Sequence, residues 1–313
     1  MKKALLFPGQ GSQTVGMGKE LADNFSSARE VFEEVDNALG QKLSAIIFEG
    51  PQETLTLTEN AQPAIMATSI AALRVMEKEH GFGVAKEAAF VAGHSLGEYS
   101  ALCAAGVLSL SDTAKLLKLR GQSMQKAVPA GQGGMAALIG ADISQAEEVA
   151  KEAADGEVCS VANDNAPGQV VISGAKSAID RAIVIAKDKG IKRALPLEVS
   201  APFHCSLMAP AADTMKEALA GTTFNAPSVP VVANVIASAE SNPDQLRDLL
   251  VQQVTGVVRW RESIAYLAGQ GVTDAIEIGA GKVLSGMVKR IASDISCSNV
   301  GTPADLESFA NAA

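Results

Sequence analysis

The chain has 313 residues, a formal net charge of −9 at pH 7 and 47% hydrophobic side chains, enough for about two domains with a large core. The acidity argues against a broad basic face for nucleic acid, and no apolar stretch reaches membrane-spanning length. Cys103, Cys159, Cys205 and Cys297 are scattered without C-x-x-C spacing, so neither a disulfide framework nor a metal site is expected and a reducing cytoplasm fits.

The opening Met1-Lys2-Lys3 precedes an apolar run that Pro8-Gly9 ends too soon for a secretory signal. Residues 4–7 read as a short buried strand, followed by the turn Gly9-Gln10-Gly11-Ser12-Gln13. Gly9 and Gly11 begin a dinucleotide fingerprint, but Thr14 stands at its third glycine position and no ribose-binding acid follows at the right distance. The loop is therefore either a simple turn or a source of backbone N–H donors.

A capping box from Ser27 to Glu30 predicts a helix with Ala28, Val31, Phe32, Val35 and Leu39 on one face and Gly40 at its end. Gln62-Pro63 opens a longer helix that stops at Gly81. The apolar run 88–92, the pentapeptide Gly93-His94-Ser95-Leu96-Gly97 and the small-residue run 98–105 then read as strand, tight turn and helix. This is the G-x-S-x-G pattern of a nucleophile elbow, in which a serine hydroxyl is presented at a helix N-terminus. A serine is a poor nucleophile alone, so the motif demands a base elsewhere.

Residues 113–126 form a further helix, with Leu116, Leu117 and Met124 on its apolar side and Arg120 at the border. After the breaker-rich stretch 129–134, residues 135–197 follow the order βαββαβ, that of a ferredoxin-like unit. Here Asn163-Asp164-Asn165-Ala166-Pro167-Gly168 reads as the turn between two strands. The expected organisation is a small ferredoxin-like domain, 129–198, inserted into a large α/β-hydrolase-like domain made of 1–128 and 199–313. Ser200-Ala201-Pro202-Phe203-His204 is a loop before a helix, residues 229–235 a strand, 243–254 and 260–268 helices, 275–278 a strand and 283–292 a helix. Alternating strands and helices in both outer segments imply a mostly parallel sheet covered on two faces. Gly279-Ala280-Gly281-Lys282 lacks Walker spacing and reads as a structural turn.

Three histidines are available as the base. His80 lies at a helix end, where it favours the C-terminal dipole. His94 adjoins the serine, and neighbours on an elbow diverge, so it is expected to point into the protein body. His204 remains, on a loop where α/β proteins place functional side chains. For Arg120 the spacing alone favours a surface arginine lying over the apolar edge; the other reading is a bidentate clamp for a substrate carboxylate. Cys205 cannot easily face His204, so a Cys-His dyad is not expected.

Phe7-Pro8-Gly9-Gln10-Gly11-Ser12-Gln13, Gly93-His94-Ser95-Leu96-Gly97-Glu98-Tyr99, Arg120, Phe203-His204, and Gln253 with Val258-Arg259-Trp260 together resemble the malonyl-CoA:acyl carrier protein transacylase family, in order over nearly the whole chain. The resemblance implies Ser95 as nucleophile, His204 as base, the backbone N–H groups of Gln10 and Leu96 as oxyanion hole, Arg120 as holder of the malonyl carboxylate, and the Gln253 carbonyl as the group orienting His204. Val257 departs from the family, where proline is common before Val-Arg-Trp.

The resemblance further implies malonyl-CoA as donor, acyl carrier protein as acceptor, no permanently bound cofactor or metal, and a cytoplasmic monomer serving fatty acid synthesis. Lys282, Lys289 and Arg290 are candidates for meeting an acidic carrier. A polyketide carrier would look the same in this sequence. Two rivals are a serine hydrolase, which would need an acid between Ser95 and His204 that no position singles out, and a noncatalytic carrier- or nucleotide-binding module.

Overall fold

The apolar runs of the outer segments lie side by side in one sheet. In the computed structural model, which describes residues 2–312, the strands are β1 (Lys2–Phe7), β2 (Ala88–Gly93), β3 (Gly133–Ile139), β4 (Cys159–Ala166), β5 (Gln169–Ala175), β6 (Arg193–Pro196), β7 (Val231–Ala233), β8 (Ser238–Glu240), β9 (Val272–Ile278) and β10 (Ser296–Val300). Six form a sheet in the order β10-β9-β1-β2-β7-β8. All its pairings are parallel except that of β7 with β8.

Alternation along β1 shows why helices cover both faces. Leu5 and Phe7 join the larger core, while Ala4 and Leu6 join a second one on the other face. The larger core includes residues of helices Ser26–Leu39, Thr58–His80, Leu96–Ala104 and Leu110–Ala127; the second includes residues of Trp260–Gly269 and Val283–Ile291. No helix among the described residues is long and apolar enough to cross a membrane.

Strands β3 to β6 make a separate antiparallel sheet in the order β4-β5-β3-β6. Its Ala136, Leu138, Val170 and Ile172 pack with residues of helices Ile143–Ala154 and Lys176–Asp188, whereas Met135, Ala137 and Val171 join the larger core. The sheet is tied on by backbone bonds, Val258 N to Ala162 O at 2.9 Å and Asp164 N to Val258 O at 3.0 Å. Arg261 adds an ion pair to Asp164 at 2.8 Å.

Several expectations are corrected. Asn163, Asp164 and Asn165 lie buried within β4, and the turn narrows to Pro167-Gly168. The side chains of Asp164 and Asn165 meet Arg261 and His94, and the backbone here pairs with Val258, contacts distant in the chain that offset the preference of Asn and Asp for turns. The helix at 26–39 has Phe25 as N-cap with no side-chain cap bond, so the box from Ser27 to Glu30 does not form, although Gly40 closes it at φ 59°. The long helix starts at Thr58, before Pro63. The strand expected at 229–235 is shorter and turns back into β8.

Candidate active site

The elbow is built by close backbone packing. β2 ends at Gly93, and Ser95, at φ 53° and ψ −111°, is the N-cap of the helix Leu96–Ala104. A Cβ on Gly93 would collide with the backbone of Gly97, and one on Gly97 with the Phe7 carbonyl. Both glycines are therefore needed for the turn to fold against itself and against β1. The Ser95 amide donates to Asn234 Oδ1 at 2.8 Å, and Asn234 Nδ2 donates to Gly93 O at 2.7 Å.

Ser95 Oγ lies 2.8 Å from His204 Nε2. The other imidazole nitrogen, Nδ1, lies 2.9 Å from the Gln253 carbonyl and 3.1 Å from that of Gly256. Carbonyls only accept, so Nδ1 carries the proton and Nε2 is left to accept from the serine. Burial, and then the charge of Arg120, push the His204 pKa down to about 3, so the imidazole is neutral at ordinary pH.

Arg120 is buried, not on the surface as its helical spacing alone favours. Only 2% of it is exposed. Its Nη2 donates to Ser95 Oγ at 3.1 Å and to Gln253 Oε1 at 2.9 Å, and its Nη1 to Gln62 Oε1 at 2.7 Å. Nε has no partner, and among the described residues no carboxylate forms a salt bridge with this guanidinium. A buried cation without a direct counter-ion favours an anionic group beside it.

Gln10, Ser95, Leu96, Arg120 and His204 line one cavity of about 320 Å³. Among the described residues neither the Gln10 nor the Leu96 N–H has a hydrogen-bond partner, whereas Gly11 N is taken by Gln13 Oε1 at 2.7 Å. The loop thus offers the Gln10 amide, and the helix start offers that of Leu96. No group of three or more His, Cys, Asp or Glu able to hold a metal occurs among the described residues.

His94 points into the protein body as expected, with Nε2 2.8 Å from Asn165 Oδ1 and its ring edge-on to Trp260 at 5.6 Å. His80 lies against Phe309, with ring centroids 6.4 Å apart. Arg290 donates to the Pro167 carbonyl and to Gln169 Oε1, both at 2.6 Å, and so grips the β4–β5 turn.

Three contributors escape the sequence reading. Gln253 acts through its side chain as well, with Nε2 donating to Ser95 O at 3.0 Å and to Glu98 Oε2 at 2.9 Å. Glu98 is fully buried beneath the elbow and also accepts from Asn234 N at 2.9 Å; burial raises its pKa to about 7. Glu98 falls within the recognised motif, but nothing local marks Asn234.

A hydroxyl paired with a neutral, carbonyl-held imidazole, two free amides nearby and an unpaired arginine, all at the carboxyl end of a parallel sheet, define a serine acyl-transfer site. Residues 4–302 match the family described as "Acyl transferase domain". Malonyl CoA-acyl carrier protein transacylase of Escherichia coli K12 is 49% identical over 300 residues, 96% of each chain. The protein of that name from Bacillus subtilis is 48% identical over 98% of this chain and 95% of its own. Acyl-carrier-protein-S-malonyltransferase from Bartonella henselae superposes with a TM-score of 0.97 at 55% identity, over 100% of this chain and 99% of its own. A structure described as a "type II PKS acyl-carrier protein in complex with its malonyl-transacylase" gives 0.96 at 43% identity, over 100% of both chains. The chain belongs to the acyl transferase domain family.

Proposed function

We propose that this protein moves a malonyl group from malonyl-CoA to the phosphopantetheine thiol of acyl carrier protein by way of a malonyl ester on Ser95. The observation that carries the reading is the buried Arg120, whose Nη2 lies 3.1 Å from Ser95 Oγ. A cation at that distance from the nucleophile suits an acyl group that ends in a carboxylate.

In the first half-reaction the Ser95 oxygen attacks the thioester carbonyl as His204 Nε2 takes its proton. The Gln10 and Leu96 amides receive the oxyanion, each contributing on the order of 3 kcal/mol in the transition state. The carbon–sulfur bond breaks, and His204 returns the proton to the coenzyme A sulfur. In the second half the carrier thiol loses its proton to His204 and attacks the ester, and Ser95 leaves with that proton, which makes the scheme ping-pong. The Gln253 carbonyl keeps Nδ1 protonated throughout.

The acceptor is taken to be the carrier of fatty acid synthesis, and the protein a cytoplasmic monomer without a bound cofactor. Residues 129–198 are assigned to a small ferredoxin-like domain inserted in a large hydrolase-like one made of 1–128 and 199–313. The order β4-β5-β3-β6 supports the first label. Against a hydrolase built on a Ser-Asp/Glu-His triad, both Nδ1 partners of His204 are carbonyls.

The test is intact mass after exposure to malonyl-CoA. A malonyl adduct on the wild type, absent from Ser95→Ala and discharged by holo acyl carrier protein, is the expected result. An unmodified wild type, or free malonate released faster than the carrier is loaded, sinks the proposal.

A further inference from the structure

Arg120 has a second hydrogen-bonded route, leading away from Ser95. Its Nη1 donates to Gln62 Oε1 at 2.7 Å, Gln62 Nε2 donates to Thr58 Oγ1 at 3.0 Å, and the Thr58 hydroxyl donates to Gln10 Oε1 at 3.1 Å. The direction is set from one end. A guanidinium has only donors, so the Gln62 oxygen must face it. The Gln62 nitrogen then faces Thr58 and occupies an acceptor lone pair, which leaves the hydroxyl proton for Gln10.

Arg120, Gln62 and Thr58 are 2%, 1% and 1% exposed, so water does not readily replace a link among these three, whereas Gln10 at the end of the chain is exposed. At the far end, Gln10 carries one of the two free amides. It is followed by Gly11 at φ 101°, where a Cβ would meet nothing within 4 Å. Ser12 and Gln13 brace the loop internally, through Gly9 O at 2.8 Å and Gly11 N at 2.7 Å. Thr58 is what joins the Gln10 side chain to the long helix.

We infer that Thr58 is a positioning residue of the acyl-transfer reaction: through Gln62 and Thr58, the arginine that meets the donor carboxylate also sets the Gln10 amide that receives the oxyanion. Recognition of the carboxylate and activation of the carbonyl then share one chain of side chains. This rests on the function proposed above.

The experiment compares Thr58→Val, which keeps the shape and removes the hydroxyl, with Thr58→Ser, which keeps the hydroxyl. Single-turnover malonylation of Ser95 is followed together with steady-state kcat, KM and thermal unfolding. Thr58→Val is expected to lower kcat about five- to tenfold with KM within about twofold, and Thr58→Ser to stay within about twofold of wild type. In an Arg120→Ala background assayed with acetyl-CoA, Thr58→Val should change the rate less than about twofold, because the direction of the chain is already lost.

A Thr58→Val variant with wild-type kcat, a loss confined to KM or to melting temperature, no rescue by serine, or full additivity with Arg120→Ala each overturns the inference. Absence of an adduct on the wild type overturns the function itself and this role with it. An adduct on the wild type with an indifferent Thr58→Val removes only the role of Thr58.

Discussion

The Nδ1 atom of His204 is 2.9 Å from the carbonyl oxygen of Gln253, where a Ser-His-Asp triad would place a carboxylate. A carbonyl orients the ring without contributing a full negative charge, and the nearby cation of Arg120 adds to burial in disfavouring the imidazolium. The imidazole is thereby kept neutral, as the proposed base must be, at acidities where an ordinary histidine is protonated.

The pH dependence of kcat/KM follows. With its pKa lowered to about 3, His204 stays neutral through the window between that value and the usual 6.5. Malonylation of Ser95 should therefore show no acid limb from this group near 6.5. An inflection close to pH 7 is expected from Glu98 and should vanish in Glu98→Gln. A midpoint near 6.5 that survives in that variant contradicts the assignment.

Arg120→Ala should lower the ratio of kcat/KM for malonyl-CoA over acetyl-CoA by roughly 10²- to 10⁴-fold, since the site would lose its charged partner for the carboxylate. Arg120→Lys should not restore the ratio. One ammonium cannot reproduce the fork that reaches Gln62 through Nη1 and both Ser95 and Gln253 through Nη2. Competition assays with the two donors measure this directly, and an unchanged ratio in Arg120→Ala rules the clamp out.

Glu98 makes stability depend on pH. Its pKa is raised from 4.5 to about 7 by burial, so between those values the folded chain binds a proton that the unfolded chain has released. Its contribution is full below 4.5 and is lost as pH rises through 7. Glu98→Gln has no such proton, and His204 is common to both proteins. The stability of wild type relative to Glu98→Gln should therefore fall by up to about 3 kcal/mol between about pH 5 and pH 8. Parallel melting curves across that range would count against a raised pKa.

The ion pair from Arg261 to the buried Asp164 anchors the small sheet. Arg261→Ala leaves a carboxylate without its cation and should destabilise the protein by about 1–3 kcal/mol, less than a fully buried pair because the arginine is partly exposed. Asp164→Asn should offset part of that loss in the double variant, as measured by denaturant unfolding. Strictly additive losses would show that the pair is not coupled.

The candidate site was legible where chemistry is scarce or geometry demanding. The glycines around Ser95 declare a tight turn, and only three histidines compete to serve it. Polar segments were harder to read. β10, Ser-Cys-Ser-Asn-Val, buries fully only Val300, so no apolar run announces it. Asn163 to Asn165 look like a turn until Val258, Arg261 and His94 supply partners. Glu98 and Asn234 are 136 positions apart, and Thr58 and Gln10 are 48 apart; contacts of that kind leave no local pattern.

Ser95 at φ 53° and His204 at φ 58° are both non-glycine residues on the left-handed side of backbone space. Each such conformation costs on the order of 1–3 kcal/mol, and glycine at either position would relieve it while deleting a side chain that the proposed chemistry uses. Heat resistance and reactivity therefore pull in opposite directions at the same two positions. A variant library ranked only by thermal tolerance would drift away from the serine–histidine pair, and one ranked by acyl transfer would keep both strained residues.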